Sequence, residues 1–253
     1  MTINFISADW PAPKNIVAGT TTRSGGFSIE PYDSFNLASH VGDNIHHVQK
    51  NRQLLVTELD LPHEPKWLNQ VHGTKVVDFT ELENNANSQC CADAVISFES
   101  NIVCAVLTAD CLPLLITDTI GSCVAAIHAG WRGLRYGIIE QTIASLNRHP
   151  DTLIVWIGPA ISAAVFEVDN SVRDGFVAID INAEKAYSTS RPGHWMMDLV
   201  LLAKQRLINN GIDLQSIYGG CYCSFTDNKS FYSYRRSSET GRMVSLIYNR
   251  KSS

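Results

Sequence analysis

The stretch LTADCLPLLITDTIGSCVAAIHAGWRGL, residues 107–134, decides the fold. Its two apolar runs, 113–118 and 123–129, are short and rich in branched residues, so they read as two successive buried strands. Polar residues punctuate them. Asp110 and Cys111 stand at one end, and His128, followed by Ala-Gly-Trp-Arg-Gly, stands at the other. Cys111 and His128 are 17 residues apart (128 − 111), a spacing that suits one strand leaving a site and the next returning to it.

Outward from this pair, residues 15–23, 74–79, 94–98, 102–109, 153–159, 216–221, 231–236 and 243–249 also read as strands. Residues 42–59 read as a helix capped by Asp43 or Asn44. Residues 133–149 read as an amphipathic helix turning Ile138, Ile139, Ile143 and Leu146 inward. Residues 171–179 and 197–211 read as further helices, the last closed by Gly211. Strands and helices that mix without strict alternation predict an α/β sandwich, α+β-like, with mixed sheets and flanking helices. The polar segment 81–93 reads as a long surface loop. With no repeat, low-complexity tract or Pro/Gly/Ser linker, residues 1–253 read as one catalytic domain.

The composition, 45% hydrophobic and 18% charged, is that of a globular chain with ample core. A net charge of -5 argues against nucleic acid or an anionic membrane as the main partner, while leaving room for a small anion in a local basic pocket. No basic-then-apolar leader opens the chain, and Asp110, Asp118 and His128 break its most apolar region, so the expectation is a soluble cytoplasmic protein without a membrane span. Seven Cys in a chain of this size do not suggest a disulfide framework.

Three segment ends carry soft or borderline metal ligands: His72 in QVHG, Cys111 in TADC and His128 in IHAGWRG. Two His and one Cys leave the fourth position of a zinc ion open, as catalytic sites require, and a water bound there is acidified. Taken alone, single residues at long separations read better as satisfied core residues, since buried Cys is common. Asp110 precedes Cys111 and, on a strand, points to the opposite side; it could orient a ligand, act as a base or bond nearby backbone. Arginines suit phosphate, and the candidates are Arg23, Arg132, Arg235 or Arg236, and Arg242. Arg132 is nearest His128 along the chain, between Gly130 and Gly133. Cys104 and Cys123 read as core, Cys90–Cys91 as loop thiols, and Cys221-x-Cys223 as a pair at a strand end.

Eleven short pieces are ordered as in one known family. They include TTRSGGFS, YDSFNLASHVGDN, WLNQVHG, ADAVIS, LTADCLPLLITD, AAIHAGWRGL, GPAISAAVFEV, FYSYRR and TGRM. The chain resembles the laccase-domain, YfiH-like family, also described as multicopper polyphenol oxidase or purine nucleoside phosphorylase proteins. The resemblance implies an α/β sandwich specific to that family and one zinc site at His72, Cys111 and His128. It also implies Asn36 and His40 as pocket residues. The implied activity is phosphorolysis of adenosine, inosine and S-methyl-5′-thioadenosine to base and (methylthio)ribose 1-phosphate, with adenosine deamination alongside. Purine nucleosides and phosphate are then the partners, and monomer and dimer both stay open.

A true multicopper oxidase mechanism is disfavoured: the chain has 8 His and no His-x-His pair, and only four Met for a blue-copper axial position. Copper in the zinc site, with weak phenol oxidation, stays as an alternative. The His-x-Glu and Pro-Cys-x-x-Cys pattern of cytidine-type deaminases is absent, as are the P-loop and GxGxxG. Two other readings stand beside the phosphorylase. Cys111 and His128 could form the nucleophilic pair of a cysteine hydrolase or amidase, or the metal could belong to a non-enzymatic binding module.

Overall fold

The computed structural model describes residues 2–79 and 90–251. The strands are β1 (Phe5–Ser7), β2 (Ile16–Thr21), β3 (Val76–Asp78), β4 (Ala94–Ser97), β5 (Cys104–Thr108), β6 (Leu112–Asp118) and β7 (Val124–Ala129), then β8 (Leu153–Ile157), β9 (Glu167–Asp169), β10 (Tyr187–Thr189), β11 (His194–Met197), β12 (Ile217–Gly219) and β13 (Met243–Asn249). The helices are α1 (Ile45–Glu58), α2 (Trp131–Tyr136), α3 (Ile138–Leu146), α4 (Asn170–Val177) and α5 (Leu199–Asn209).

A six-stranded mixed sheet, ordered β12-β8-β6-β7-β4-β3, forms the centre. Every residue of β4, β6, β7 and β8 is buried. The sheet is covered on both faces, which is why its strands appear in the sequence as continuous apolar runs. Leu112, Leu114 and Ile116 of β6 face a cluster with Ile138, Ile139 and Leu146 of α3 and Leu202 and Leu207 of α5. Leu115 points the other way, against Cys104 and Val106 of β5 and Ile247 of β13. These belong to a four-stranded sheet, β1-β2-β13-β5. Its outer face, with Leu107 and Leu246, packs against Leu55 of α1. The result is an α/β sandwich of two sheets between helices. A small antiparallel sheet, β10-β11-β9, flanks it.

Three expectations need correction or completion. The helix read over 133–149 is two helices, because Gly137 takes φ 99° and ends α2 in a left-handed cap before α3 begins. The strand read over 231–236 is not a strand. Its amides are drawn elsewhere, that of Phe231 to Asp227 O (3.1 Å), Tyr232 to the Met243 sulfur (3.1 Å) and Arg235 to Asp110 Oδ2 (2.7 Å). Those bonds leave no ladder to form. Of the loop read over 81–93, residues 81–89 lie outside the described residues. Elsewhere local chemistry acts as expected: the Asn44 side chain accepts from His46 N and starts α1, and Gly211, at φ 89°, follows the end of α5.

Candidate functional site

β6 and β7 form an antiparallel hairpin in which Leu112 pairs with Ala129 and Pro113 with His128. Cys111, one residue before β6, therefore sits beside the His128 end of β7. β7 pairs in turn with β4, Ala94 opposite Ile127, which brings Asp93 alongside His128. His72 arrives from the loop before β3, with a left-handed φ of 59°. A ligand atom of each of His72, Cys111 and His128 lies within 4.8 Å of the others. The Cys111 sulfur is 3.7 Å from His72 Nε2, and the two imidazoles meet edge to face at 4.8 Å between centroids.

Asp93 organises this cluster and was not singled out in the sequence, although it lies in the quoted ADAVIS piece. Its side chain is fully buried. Oδ1 accepts from His128 Nδ1 at 2.8 Å and from the His72 amide at 2.9 Å, and Oδ2 accepts from the Gly73 amide at 2.7 Å. One carboxylate thus fixes the ring of one ligand and the backbone of another. With Nδ1 engaged, His128 turns Nε2 toward Cys111. Gly130 supplies the remaining space: a Cβ there would stand 2.6 Å from His72 Cδ2 and 3.2 Å from the Cys111 sulfur.

The charges reinforce each other. Burial pushes the Cys111 thiol up, but His128 and His72 outweigh it and bring the thiol down to about 6. Burial opposes the His128 charge, yet Cys111 and Asp93 hold its pKa above the ordinary range. The group between Cys111 Sγ and His128 Nε2 is therefore built for a positive charge. A divalent cation satisfies that demand in place of a proton, and two imidazoles with a thiolate are a zinc-type donor set. Among the described residues no other such His/Cys/Asp/Glu group exists.

The cluster opens on a cavity of about 400 Å³, within the range of small-molecule sites. Trp131, Ile161, Phe166 and Leu199 make an apolar side, and Arg132, Arg235, Arg242 and His40 a polar one. The three guanidiniums lie 4.5, 5.1 and 5.8 Å from the rings of Trp131, Phe166 and Tyr234. None makes an ion pair with a carboxylate among the described residues. In a chain of net charge -5 this concentrates positive charge at one opening. Burial first, then Arg242 and Arg52, push the His40 imidazole below its ordinary range, so it faces the cavity neutral at pH 7.

Asp110 lies between β5 and β6 at φ 92°, not on a strand as read from the sequence. Its oxygens accept from Ser224 Oγ (2.7 Å) and the Arg235 amide (2.7 Å), so it ties the Cys111 end of β6 to the loop carrying Arg235. Three candidates stand outside the cavity lining. Asn36 is buried and holds the Arg242 amide and Ala38 in place through Oδ1. Arg23 binds Asp33 and the Asn228 carbonyl and lies 4.8 Å over the Tyr232 ring. Arg236 is likewise spent on the carbonyls of Ser224, Phe225 and Phe231. Gln70, also missed, lines the cavity and pairs both amide atoms with the Leu107 backbone at 2.8 Å.

Comparison with known proteins agrees with this architecture. The family model described as multi-copper polyphenol oxidoreductase laccase matches residues 17–250. An Escherichia coli protein named purine nucleoside phosphorylase YfiH is 45% identical over 244 residues, 96% of this chain and 98% of that one. A Haemophilus influenzae protein named purine nucleoside phosphorylase is 46% identical over 245 residues, again 96% and 98%. The crystal structure of a Neisseria meningitidis protein superposes with a TM-score of 0.93 at 42% identity, covering 98% of this chain and 100% of that one.

Proposed function

The chain belongs to the multi-copper polyphenol oxidoreductase laccase family, and from that membership we propose a zinc-dependent purine nucleoside phosphorylase. Its substrates are adenosine, inosine and S-methyl-5′-thioadenosine with phosphate, and its products the base and the (methylthio)ribose 1-phosphate. Adenosine deamination enters through the resemblance. The observation that carries the proposal is the His72, Cys111, His128 cluster in a cavity lined by arginines that make no ion pair with a carboxylate among the described residues.

His72, Cys111 and His128 would hold a zinc ion, which when bound would supply positive charge and Lewis acidity beside the cavity. Everything else is assigned to the chain's own groups. Arg132, Arg235 and Arg242 hold phosphate, whose oxygen attacks the anomeric carbon as the bond to the base breaks. Trp131, Phe166, Ile161 and Leu199 offer the flat apolar wall that suits a purine. His40, neutral, both donates and accepts, which suits sugar hydroxyls. Asp110, with a donor on each oxygen, positions Cys111 and Arg235. Copper oxidation is disfavoured because no Met lines the cavity and no second ligand group is found among the described residues.

His72→Ala and Cys111→Ala, assayed separately with inosine and phosphate, are expected to lose hypoxanthine release and zinc together. Unchanged release in either variant sinks the metal-site mechanism. One observation favours a second reading: Asp93, His128 and Cys111 also make a carboxylate–imidazole–thiol relay. Selective alkylation of Cys111 in zinc-loaded protein would support that nucleophile; protection by zinc supports the phosphorylase.

A further inference from the structure

β5 is the last strand of its sheet, with β13 on one side and no described strand on the other. An edge of this kind leaves backbone groups without a ladder partner. At Leu107 a side chain meets them. Gln70 Oε1 accepts from the Leu107 amide and Gln70 Nε2 donates to the Leu107 carbonyl, both at 2.8 Å. A primary amide carries the same donor and acceptor as a peptide group. Gln70 therefore stands where one residue of a neighbouring strand would stand.

The place of this clamp along the chain gives it a consequence. Gln70 lies two residues before His72, and Leu107 four residues before Cys111. The clamp braces the two segments that carry these ligands, whose atoms Cys111 Sγ and His72 Nε2 are 3.7 Å apart. The other sides of the ligand triangle are braced by other means. The β6–β7 ladder sets Cys111 against His128, and Asp93 joins His128 to the His72 amide. His72 needs bracing most. It is the exposed ligand, it belongs to no strand, and its φ of 59° is one that an L residue keeps only where its surroundings impose it. Further anchors of its loop run to residues 90–93. Asn69 N donates to Cys90 O at 2.9 Å, Ala92 N donates to Asn69 O at 3.2 Å, and Asp93 accepts from the amides of His72 and Gly73. Those bonds hold the loop along one side; Gln70 ties it to β5 across the cluster.

We propose that Gln70 is a positioning residue, which by imitating a strand residue on the free edge of β5 fixes His72 within reach of Cys111. Gln70 lines the cavity, but both polar atoms of its amide are spent on Leu107, so it acts through His72 and not on a substrate. Without the clamp the loop keeps its bonds to residues 90–93 and is free to pivot about them, which carries the imidazole away from the thiol.

The test titrates cobalt(II) into metal-free protein, reads absorption from the cobalt–thiolate contact, and obtains zinc affinity by competition. Gln70→Ala is expected to weaken binding about tenfold. Gln70→Met fills the same space without an amide, and is expected to show the same loss should the Ala variant not fold. In a His72→Ala background the Gln70 change is expected to move cobalt affinity by less than about twofold, because its effect passes through His72. An equal loss in both backgrounds means general support of the fold and overturns the proposal, as does unchanged affinity in the single variants. The inference rests on the metal reading of the cluster. Wild-type protein that takes up neither cobalt nor zinc sinks that reading and this one with it, whereas wild-type uptake that Gln70→Ala leaves unchanged sinks this one alone.

Discussion

The two walls of the cavity are built by different means. One wall stands on strands of the central sheet. Cys111 precedes β6, His128 lies in β7 and Asp93 precedes β4, and backbone ladders set their alignment. The other wall hangs on loops. His40, Tyr234, Arg235 and Arg242 belong to no helix or strand. Side-chain-to-backbone clamps hold it: Asp110 on the Arg235 amide, Asn36 on the Arg242 amide and the Tyr232 hydroxyl on the Tyr32 carbonyl at 2.6 Å. A ladder spreads positional control over many bonds, whereas a clamp concentrates it in one side chain. Cys111 and His128 take the first kind of control, and His72, on a loop, is clamped to the same wall by Asp93 at 2.9 Å; groups that close on a mobile anion can work with the second kind alone.

Asp93→Asn tests the strand wall and should give the largest effect. An amide in place of the carboxylate removes the negative partner of His128, so zinc affinity should fall by about 10–100-fold. Competition with a chromogenic chelator measures it, and unchanged affinity would mean that the ladders alone orient His128. Arg235→Ala tests the loop wall. The KM for phosphate should rise about tenfold or more while bound zinc and melting temperature stay constant, because the side chain is exposed and its amide still meets Asp110. Loss of zinc in this variant would erase the distinction between the walls. Arg23→Ala should do least to the site. Removing its bonds to Asp33 and Asn228 should lower stability by about 1 kcal/mol in denaturant melts, with phosphate KM unchanged. A raised KM would return Arg23 to the phosphate site.

The same division explains what was legible in the sequence. Cys111 and His128 interrupt runs that are otherwise pure core, so position and residue type announce them together. Asp93 begins just such a run, ADAVIS, yet a carboxylate before a strand resembles any turn residue until the β4–β7 pairing is known. The strand reading of 231–236 failed because Phe-Tyr-Ser-Tyr has β-type composition, while the amides of that segment are taken by Asp227, Met243 and Asp110, groups distant or unremarkable in the sequence. Asn36 and Arg23 were legible as polar groups in well-defined motifs; that they serve the backbone, away from the cavity, depends on contacts 206 and 205 residues distant along the chain. Gly137 was visible, but a glycine inside a helical pattern announces a break only when its φ is positive.

The β6–β7 hairpin carries one more consequence. Its closed end, where Thr117 pairs with Val124, is five residues from the end that holds the ligands, about 17 Å along the strands. Extra residues inserted at that far turn would lengthen the interval between Cys111 and His128 and move neither. Deleting a single residue within β7 would turn His128 from one face of the sheet to the other, because side chains alternate. The interval of 17 residues is thus an accident of the turn; the chemistry depends on parity.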